Sequence, residues 1–320
     1  MGIGVVFASA AGLLWGLAFL GPLILQDYPA PLVVAGRYLA FGLVALPLAW
    51  WDRAELKALS PSDWIEALKL SAVGNLLYYL FLASALQRAG GPVPTLIIGT
   101  LPVVLAVVAN VTHSRGEGRL PWSQLAPCLG MVLAGIACVN HVEAGAIDSR
   151  PEADHARYLG GVLLAVCAVV CWTWYALRNA RLLRHSGRSP RAWATAQGIA
   201  TLPMALLAYG SFWWWSTATG GYAELPLGPR PGVFLGVVLA LGLLASWLAT
   251  HCWNEASQRL PAVLAGQLIV LETLAALVYA HLLRGGPLQA MTLAGAVLLV
   301  AGVVAALRIR PRPATAAAGV

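Results

Sequence analysis

The sequence predicts an all-α integral membrane protein of ten transmembrane helices, arranged as two inverted five-helix repeats around a central cavity. Three observations lead to this fold class. Of the 320 residues, 59% are hydrophobic and only 10% are charged, whereas soluble domains carry about 25% charged residues. Charge-poor stretches of about 20 residues, the length that crosses a bilayer core, recur along the chain. The two halves of the chain also resemble each other.

Ten apolar segments have the required length. They lie near 3–25, 31–51, 64–87, 93–112, 122–141, 158–178, 191–215, 232–254, 261–283 and 287–307. They lack the alternating pattern of a β-barrel, so helices are the spanning structure that satisfies their backbone hydrogen bonds internally. The first segment lacks a basic start and is longer than a signal-peptide core, so we expect it to be retained as a helix.

Basic residues are distributed unevenly between the two sides of the predicted bundle. With the N-terminus inside, fourteen of the 20 Lys and Arg residues fall on the cytoplasmic side, five fall on the opposite side, and Arg37 lies within a span. This excess follows the positive-inside rule. The net charge of +7 therefore indicates topology and not nucleic-acid binding. Ten spans place both termini in the cytoplasm.

The most polar stretch of the chain, 142–157, divides the ten spans five and five. We expect residues 1–141 to form the first five-helix repeat and residues 158–310 the second. The stretch between them is predicted to be an extracytoplasmic linker, and 311–320 a flexible cytoplasmic tail.

Two pairs of segments match between the halves and preserve the order of the helices. The first pair, GVVFASAAGLLW (4–15) and GVLLAVCAVVCW (161–172), agrees at five of twelve positions, and the second sets 84–102 against 255–273 with a shared Gln-Arg dipeptide. Because five is an odd number, the second half enters the membrane upside down. Inverted repeats of this kind recur in transporters, whose binding site lies at the repeat interface near mid-membrane.

This organisation resembles the drug/metabolite transporter superfamily, in its EamA-domain branch. The resemblance rests on the five-plus-five pattern, on a Trp in the first helix of each half (Trp15 and Trp172), and on the Gln-Arg junctions between the third and fourth helices. The wealth of Trp and Tyr more narrowly resembles the YddG-type aromatic amino acid exporters. The resemblance implies export, and a cavity formed chiefly by the first, third and fourth helices of each half.

One departure from the family pattern concerns a possible hinge in the fourth helix of each half. Pro102 lies there in the first half, but the second half has Thr273 where such proteins often have Pro. Four positions are candidate sites of close packing or bending: Gly12, Gly16, Pro102 and Gly266.

Helical periodicity selects candidate cavity residues, because positions i, i+3, i+4 and i+7 share one face. On the sixth span the stripe through Cys167 and Cys171 includes Trp174 and Tyr175, with Trp172 pointing elsewhere. From this and similar stripes on the first, third and eighth spans, we predict that the substrate contacts Trp15, Asn75, Tyr78, Tyr79, Trp172, Trp174, Tyr175, Ser246 and Thr250.

Two interpretations of these residues stay open. Ser, Thr and Asn commonly hydrogen-bond between membrane helices, so packing is an alternative to ligand binding. Trp and Tyr normally gather at the membrane interfaces, and a buried polar tip needs a partner. A wet cavity would hydrate these tips, let the rings stack on a planar substrate, and attract an ammonium group through cation–π contact.

Three ionisable residues within the spans are candidates for coupling or for a structural role. Glu272 lies in the middle of the ninth span and is the best candidate for a proton or cation site, the alternative being a structural carboxyl that is protonated or paired with Arg. Arg37 is expected to reach the outer interface or to pair with Asp27. His251 is expected to be a hydrogen-bonded packing residue.

Catalytic and metal-binding patterns are absent from the sequence. It contains no CxxC, HExxH, GxSxG or Walker-type glycine loop, and all five Cys residues fall within predicted spans, where they are expected to pack. We therefore expect no cofactor, no metal and no enzyme activity.

The sequence favours a multi-pass inner-membrane exporter of small amphipathic metabolites, aromatic amino acids first. Alternating access by facilitated diffusion is expected, since pumps more often show relays of several ionisable groups. Two alternatives remain: a multidrug or other-metabolite exporter coupled to protons through Glu272, and an intramembrane lipid-processing enzyme around His251 and Glu255. The expected partners are a small-molecule substrate and the lipid bilayer, without nucleic acid; the oligomeric state is left open.

Overall fold

A computed structural model describes residues 2–89, 92–112, 121–144, 155–222, 224–284 and 290–309. The chain is helical with turns throughout these ranges, which contain no β-strand. Residues 145–154 of the predicted linker and the whole predicted tail, 311–320, lie outside the described residues.

Helices coincide with all ten predicted apolar segments. We name them α1 (Gly2–Ile24), α2 (Ala30–Trp51), α3 (Pro61–Ala89), α4 (Pro92–Gly99 and Leu101–Thr112), α5 (Trp122–Ala144), α6 (His155–Ser186), α7 (Pro190–Thr219), α8 (Pro231–Arg259), α9 (Ala262–Leu268 and Val270–Arg284) and α10 (Ala290–Leu307). Within the described ranges, seven of them are long and apolar enough to cross a membrane: α1, α2, α3, α6, α8, α9 and α10. An all-helical membrane fold is confirmed, and the count of ten spans stays a prediction.

Local sequence signals fix where two long helices begin. Ser60 and Asp63 form a capping box at the start of α3, in which each side chain bonds the backbone N–H of the other. Pro61 follows in the first turn, where its missing N–H costs nothing. At the start of α7 the same order recurs, with Ser189 as the capping residue and Pro190 behind it. These starts lie at the same end of the bundle, where Arg188, just before α7, pairs with Asp63 in the first turn of α3.

Two helices widen in their middle. α3 forms π-helical turns over Ser71–Leu77, and α8 does so over Leu241–Leu248. Shifting the first stretch by 171 residues, the offset between the matching segments 84–102 and 255–273, lays it on residues 242–248. Such turns shift the phase of side chains that follow them and are frequent at functional sites. They fall where α3 and α8 border the same cavity.

The packing brings the two halves of the chain together helix by helix. α1 packs against α8 and α9, α3 against α6, α4 against α9, and α2 against α7 and α8, while α5 and α10 pack on each other. Most of the buried side chains belong to one cluster that runs through these contacts. The seam between the halves is therefore the interior of the molecule, and the cavity lies there.

Candidate functional site

A small cavity lies between residues of both halves of the chain. Its volume is about 30 Å³, counted as the space open to the centre of a water molecule, which is room for a few waters. Ligand pockets usually measure roughly 300–1,000 Å³. The conformation is thus nearly closed around the cavity, and a larger ligand would fit only after its walls move apart.

Aromatic side chains form much of the wall: Trp15, Tyr38, Tyr78, Tyr79, Trp172 and Tyr175. Trp15 of α1 and Trp172 of α6 meet edge to face, with ring centroids 5.5 Å apart. Trp253 of α8 joins them, its centroid 5.4 Å from each. Edge-to-face and tilted contacts at this spacing are favoured for aromatic pairs. Three indoles from three helices therefore form one cluster, in which Trp15 and Trp172 line the cavity and Trp253 packs against both.

Arg37 of α2 lies inside the bundle and lines the cavity. Its Nε donates to the hydroxyl of Ser246 at 3.0 Å, and its Nη2 donates to the carbonyl of Ala245 at 2.9 Å. The guanidinium carbon lies 4.3 Å from the ring centroid of Tyr79 and 5.2 Å from that of Tyr38. Two hydrogen bonds and two cation–π contacts thus hold this charge in the wall.

This placement corrects the prediction for Arg37. It neither reaches the outer interface nor pairs with Asp27, which instead forms an ion pair with Arg230. The physical reason is that α8 approaches α2 closely enough for Ser246 and its neighbouring carbonyl to take two guanidinium N–H groups.

Glu272 of α9 borders the same cavity and is 5% exposed. Its position depends on the close approach of α1. A Cβ atom on Gly12 would lie 3.1 Å from the backbone N of Glu272, and one on Gly16 would lie 2.6 Å from the Cβ of Ala275. Glycine at both positions lets the two backbones meet, as in other small-residue helix contacts.

The other two predicted packing positions lie where α4 meets α9. A Cβ atom added to Gly266 would lie 3.3 Å from the Cβ of Leu105. Pro102 is buried, and its carbonyl accepts a hydrogen bond from Gln267 Nε2 at 3.4 Å. Both residues therefore serve a tight helix contact, and a bending role for either stays a prediction.

Polar residues of the two widened helices complete the lining. Asn75 of α3 and Ser246 and Thr250 of α8 border the cavity. Asn75 Nδ2 also lies 3.5 Å from Thr201 Oγ1 of α7, and the hydroxyl of Tyr79 donates to the carbonyl of Ala18 at 3.0 Å. Packing and cavity lining are thus combined in the same side chains.

Of the nine predicted substrate contacts, eight line this cavity and Trp174 does not. The Trp174 side chain is 38% exposed on the outside of α6, with the Arg178 guanidinium 5.8 Å from its ring centroid. The predicted orientation of this helix was wrong, since Trp172 points inward. Its inner face follows the small residues Gly161, Ala165 and Ala168, which allow close packing. A role in substrate binding stays a prediction for the eight that line the cavity, and the exposed position of Trp174 argues against such a role for that residue.

His251 lies outside the cavity lining. Its ring stacks on Trp247 at a centroid distance of 5.8 Å and meets Phe7 edge on, and its Nδ1 has no hydrogen-bond partner among the described residues. The hydrogen bond predicted for it is therefore not seen at Nδ1. Glu255 pairs with Arg259. Within the described ranges no group of three or more His, Cys, Asp or Glu side chains could hold a metal ion.

A buried amide network below the cavity was not predicted. Asn179 accepts hydrogen bonds from Trp193 Nε1 at 2.8 Å and Gln197 Nε2 at 3.2 Å, and donates to Asn254 Oδ1 at 2.8 Å. Gln197 Oε1 accepts from the hydroxyl of Tyr175 at 3.1 Å. Helical spacing held a signal for it, since Asn179 follows Tyr175 by four residues. The network joins α6, α7 and α8 and anchors one cavity ring.

Comparison with known proteins identifies the family. The model of the EamA-like transporter family matches residues 2–140 and 159–308. The chain belongs to the EamA-like transporter family. It is 52% identical over 310 residues to the inner membrane protein YtfF of Escherichia coli (strain K12), with 96% of each chain covered. It is 22% identical over 319 residues to the uncharacterized transporter YetK of Bacillus subtilis (strain 168), covering 98% of this chain and 89% of that one.

A solved crystal structure has the same fold as this EamA-like transporter. It superposes with a TM-score of 0.72 at 20% sequence identity, covering 95% of this chain and 96% of the other. At that identity the likeness concerns the fold alone. The superfamily resemblance is thus confirmed, whereas the narrower resemblance to aromatic amino acid exporters is not decided by these relatives.

Family membership fixes the broad function. The protein is a multi-pass transporter of the inner membrane, and a transporter in a lipid bilayer implies a small-molecule substrate. The family and its relatives point away from an enzyme.

Ion pairs link the two halves of the transporter at both ends of α2. Before α2, Asp27 pairs with Arg230, the residue preceding α8. After it, Asp52 accepts a hydrogen bond from Arg191 Nε of α7 at 2.7 Å. The 22 residues of α2 span about 33 Å, so the two contacts lie on opposite sides of the cavity. We call them the Asp27 contact and the Asp52 contact.

Proposed function

We propose that this transporter exports small amphipathic metabolites, aromatic amino acids first, by alternating access between two inverted repeats. The observation that carries the proposal is the cavity between the halves, in which six aromatic rings surround one cationic and one acidic side chain. Rings can stack on a planar substrate, and the charges can bind a polar head. The direction of transport is taken from the family resemblance.

Three observations support the inverted repeats. The family model matches each half of the chain separately. The π-helical turns of α3 and α8 coincide under the 171-residue offset. The helix contacts also form matching sets, because exchanging each helix with its counterpart turns the pair α3–α6 into α8–α1 and leaves α2–α7, α4–α9 and α5–α10 unchanged. Together with an odd number of helices per half, these support a twofold axis in the membrane plane.

Alternating access explains why the cavity is small. In this conformation the Asp27 contact closes one end and the Asp52 contact closes the other. Both link elements of the first half to elements of the second. Opening one contact while the other persists would expose the cavity to one side only, which is the requirement for a carrier.

Facilitated diffusion is the favoured energetics. Glu272 is the one carboxylate among the residues that line the described cavity. A pump usually needs a relay of several ionisable groups, and none leads from Glu272 within the cavity lining. Substrate is therefore expected to move down its own gradient.

Uptake into proteoliposomes tests this proposal. Purified protein is reconstituted, and entry of labelled phenylalanine, tryptophan, leucine and glutamate is measured with and without a pH gradient. Faster entry of phenylalanine and tryptophan, unaffected by the pH gradient, is the expected result. Equal entry of all four amino acids, or none above protein-free vesicles, would contradict an aromatic substrate.

The second candidate is a multidrug or other-metabolite exporter coupled to protons. It is favoured by the presence of the Glu272 carboxyl in the cavity itself. It predicts uptake that depends on the pH gradient and that loses this dependence in Glu272→Gln. If wild-type uptake is indifferent to the gradient, this candidate is excluded for the substrate tested.

A further inference from the structure

The cavity is lined by one cationic and one acidic side chain that do not pair with each other directly. Arg37 and Glu272 are the ionisable groups of its lining apart from the tyrosines, and each is 5% exposed. Among the described residues no carboxylate oxygen lies within 4.0 Å of the Arg37 guanidinium, and no basic nitrogen lies within 4.0 Å of the Glu272 carboxylate. A buried cation without a partner is costly, and a buried carboxyl without one is favoured in its neutral form until a cation approaches it. Something that enters the cavity can complete both.

Arg37 is held in place by contacts that use only part of its guanidinium. Ser246 and the Ala245 carbonyl use two of its five N–H groups, and the Tyr79 ring supports one face of the guanidinium. The remaining donors belong to a planar fork that matches a carboxylate in a two-bond contact. An anionic group is therefore the ligand that this side of the cavity favours.

Glu272 offers an acidic group from another helix, and a bound cation would favour its ionised form. α9 holds it against α1, where Gly12 brings the backbones into contact, so its position follows from helix packing and not from a flexible loop. A carboxylate with no basic partner nearby favours a primary ammonium group, which supplies charge and three N–H donors. The aromatic wall can bind the same ammonium through cation–π contact.

We propose that the cavity recognises zwitterions, with Arg37 binding the carboxylate of the substrate and Glu272 its ammonium group while the indoles of Trp15 and Trp172 contact the side chain. This deepens the proposed function and rests on it. Amino acids carry both charges on one carbon, so one molecule can satisfy both residues. A simple organic cation would leave Arg37 uncompensated and be repelled by it, which disfavours the multidrug alternative.

A charge series on one ring tests the inference. Proteoliposome uptake of phenylalanine, phenethylamine and 3-phenylpropionate is compared, since these carry a phenyl ring with both charges, the ammonium alone or the carboxylate alone. Wild type is expected to prefer phenylalanine. Arg37→Gln should lower phenylalanine uptake by roughly 10- to 100-fold, the effect of losing a charged hydrogen-bonded partner, without lowering phenethylamine uptake. Glu272→Gln should lower phenylalanine uptake without lowering that of 3-phenylpropionate.

Two further variants separate recognition from structural damage. Arg37→Lys keeps the charge without the planar fork and should recover part of the phenylalanine uptake. Arg53→Gln removes an exposed guanidinium that bonds the Trp50 carbonyl outside the cavity, and should match wild type. Each variant is first required to run as a single species on size exclusion in detergent. An Arg37→Gln protein that loses all three compounds equally, or none, would overturn the inference.

Failure of zwitterion recognition can be distinguished from failure of the proposal that the substrate is aromatic. A wild type that carries none of the three phenyl compounds contradicts an aromatic substrate, and the same charge series is then run with leucine, isopentylamine and 4-methylpentanoate. A preference for leucine that Arg37→Gln and Glu272→Gln abolish would support zwitterion recognition with an aliphatic side chain. No preference for the zwitterion in either series would refute it.

Discussion

Replacing Gly16 by Ala should push α1 away from α9 and weaken the wall that carries Trp15 and Glu272. The new Cβ would lie 2.6 Å from the Cβ of Ala275, and 3.0 Å from the backbone N of Ala276. Carbon contacts below 3.0 Å essentially never occur, so the helices must separate by at least 0.4 Å. Overpacking of this kind costs about 1–3 kcal/mol.

The measurable consequence is a lower melting temperature. At roughly 2–4 °C per kcal/mol, Gly16→Ala should melt roughly 2–12 °C below wild type in a detergent thermal-shift assay. Phenylalanine uptake should fall as well, because the displaced helix borders the cavity. The control is Gly236→Ala in α8, where an added Cβ has no atom within 4 Å and no loss is expected.

A compensating change makes the reasoning refutable. In Gly16→Ala/Ala275→Gly the nearest carbon is removed, so part of the lost stability should return. Complete recovery is not expected, since the backbone at Ala276 stays close. A Gly16→Ala protein that melts at the wild-type temperature would show that this contact does not hold α1. A double variant that is less stable than Gly16→Ala alone would show the same.

Two further predictions concern the rings and the closure of one end. Trp172→Ala should lower uptake of aromatic amino acids about tenfold, as loss of a stacking contact of 0.5–1.5 kcal/mol and its buried area implies, whereas Trp174→Ala should leave uptake unchanged; equal effects would reject the inward orientation of α6. The hydrogen bond from Arg230 lowers the pKa of Asp27, so the Asp27 contact is present above the ordinary carboxyl pKa and lost as the pH falls through the lowered one. In a protein with a cysteine placed at Ala18 in the cavity wall, Asp27→Asn should increase labelling of that cysteine from the same side at neutral pH, and Arg230→Gln should do the same. Unchanged labelling in both variants would mean that this contact does not close the end.

The positions of the helices were predictable from hydropathy because a helix within a membrane is surrounded by lipid or by other helices. Its residues are therefore apolar on all sides, and each helix appears as a continuous apolar segment. Predicted and observed ends differ mostly by one to five residues, and the larger difference at α6 has a clear cause. This helix continues beyond the apolar segment to Ser186 through a basic stretch. Arg residues are good helix formers but are unfavourable in contact with lipid. A hydropathy threshold ends the segment where the charge begins.

The error on α6 shows what periodicity alone leaves undecided. Its outer face is marked by bulky residues, Leu159, Leu163, Val166, Val170 and Trp174, all exposed. Its inner face is marked by small residues that permit close packing. The predicted stripe followed the cysteine and aromatic residues Cys167, Cys171 and Trp174. It therefore lay one residue before the buried face, which runs through Ala168, Trp172 and Tyr175.

Contacts between distant parts of the chain could not be predicted from one sequence. Arg37 bonds Ser246, which is 209 residues away, and no local pattern relates the two. The same holds for Asp27 and Arg230. These contacts depend on how the halves pack, so the charge arrangement of the cavity emerged only with the fold.

Substrate protection of a cysteine placed in the cavity wall tests the central claim most directly. Ala18 borders the cavity with a small side chain, so Ala18→Cys is made in a background whose five native cysteines are replaced, and labelling by a membrane-permeant maleimide is timed. Phenylalanine is expected to slow labelling over the same concentration range that saturates its uptake, while phenethylamine is not. Labelling that proceeds at one rate with or without saturating phenylalanine would contradict a substrate site at the seam between the two halves.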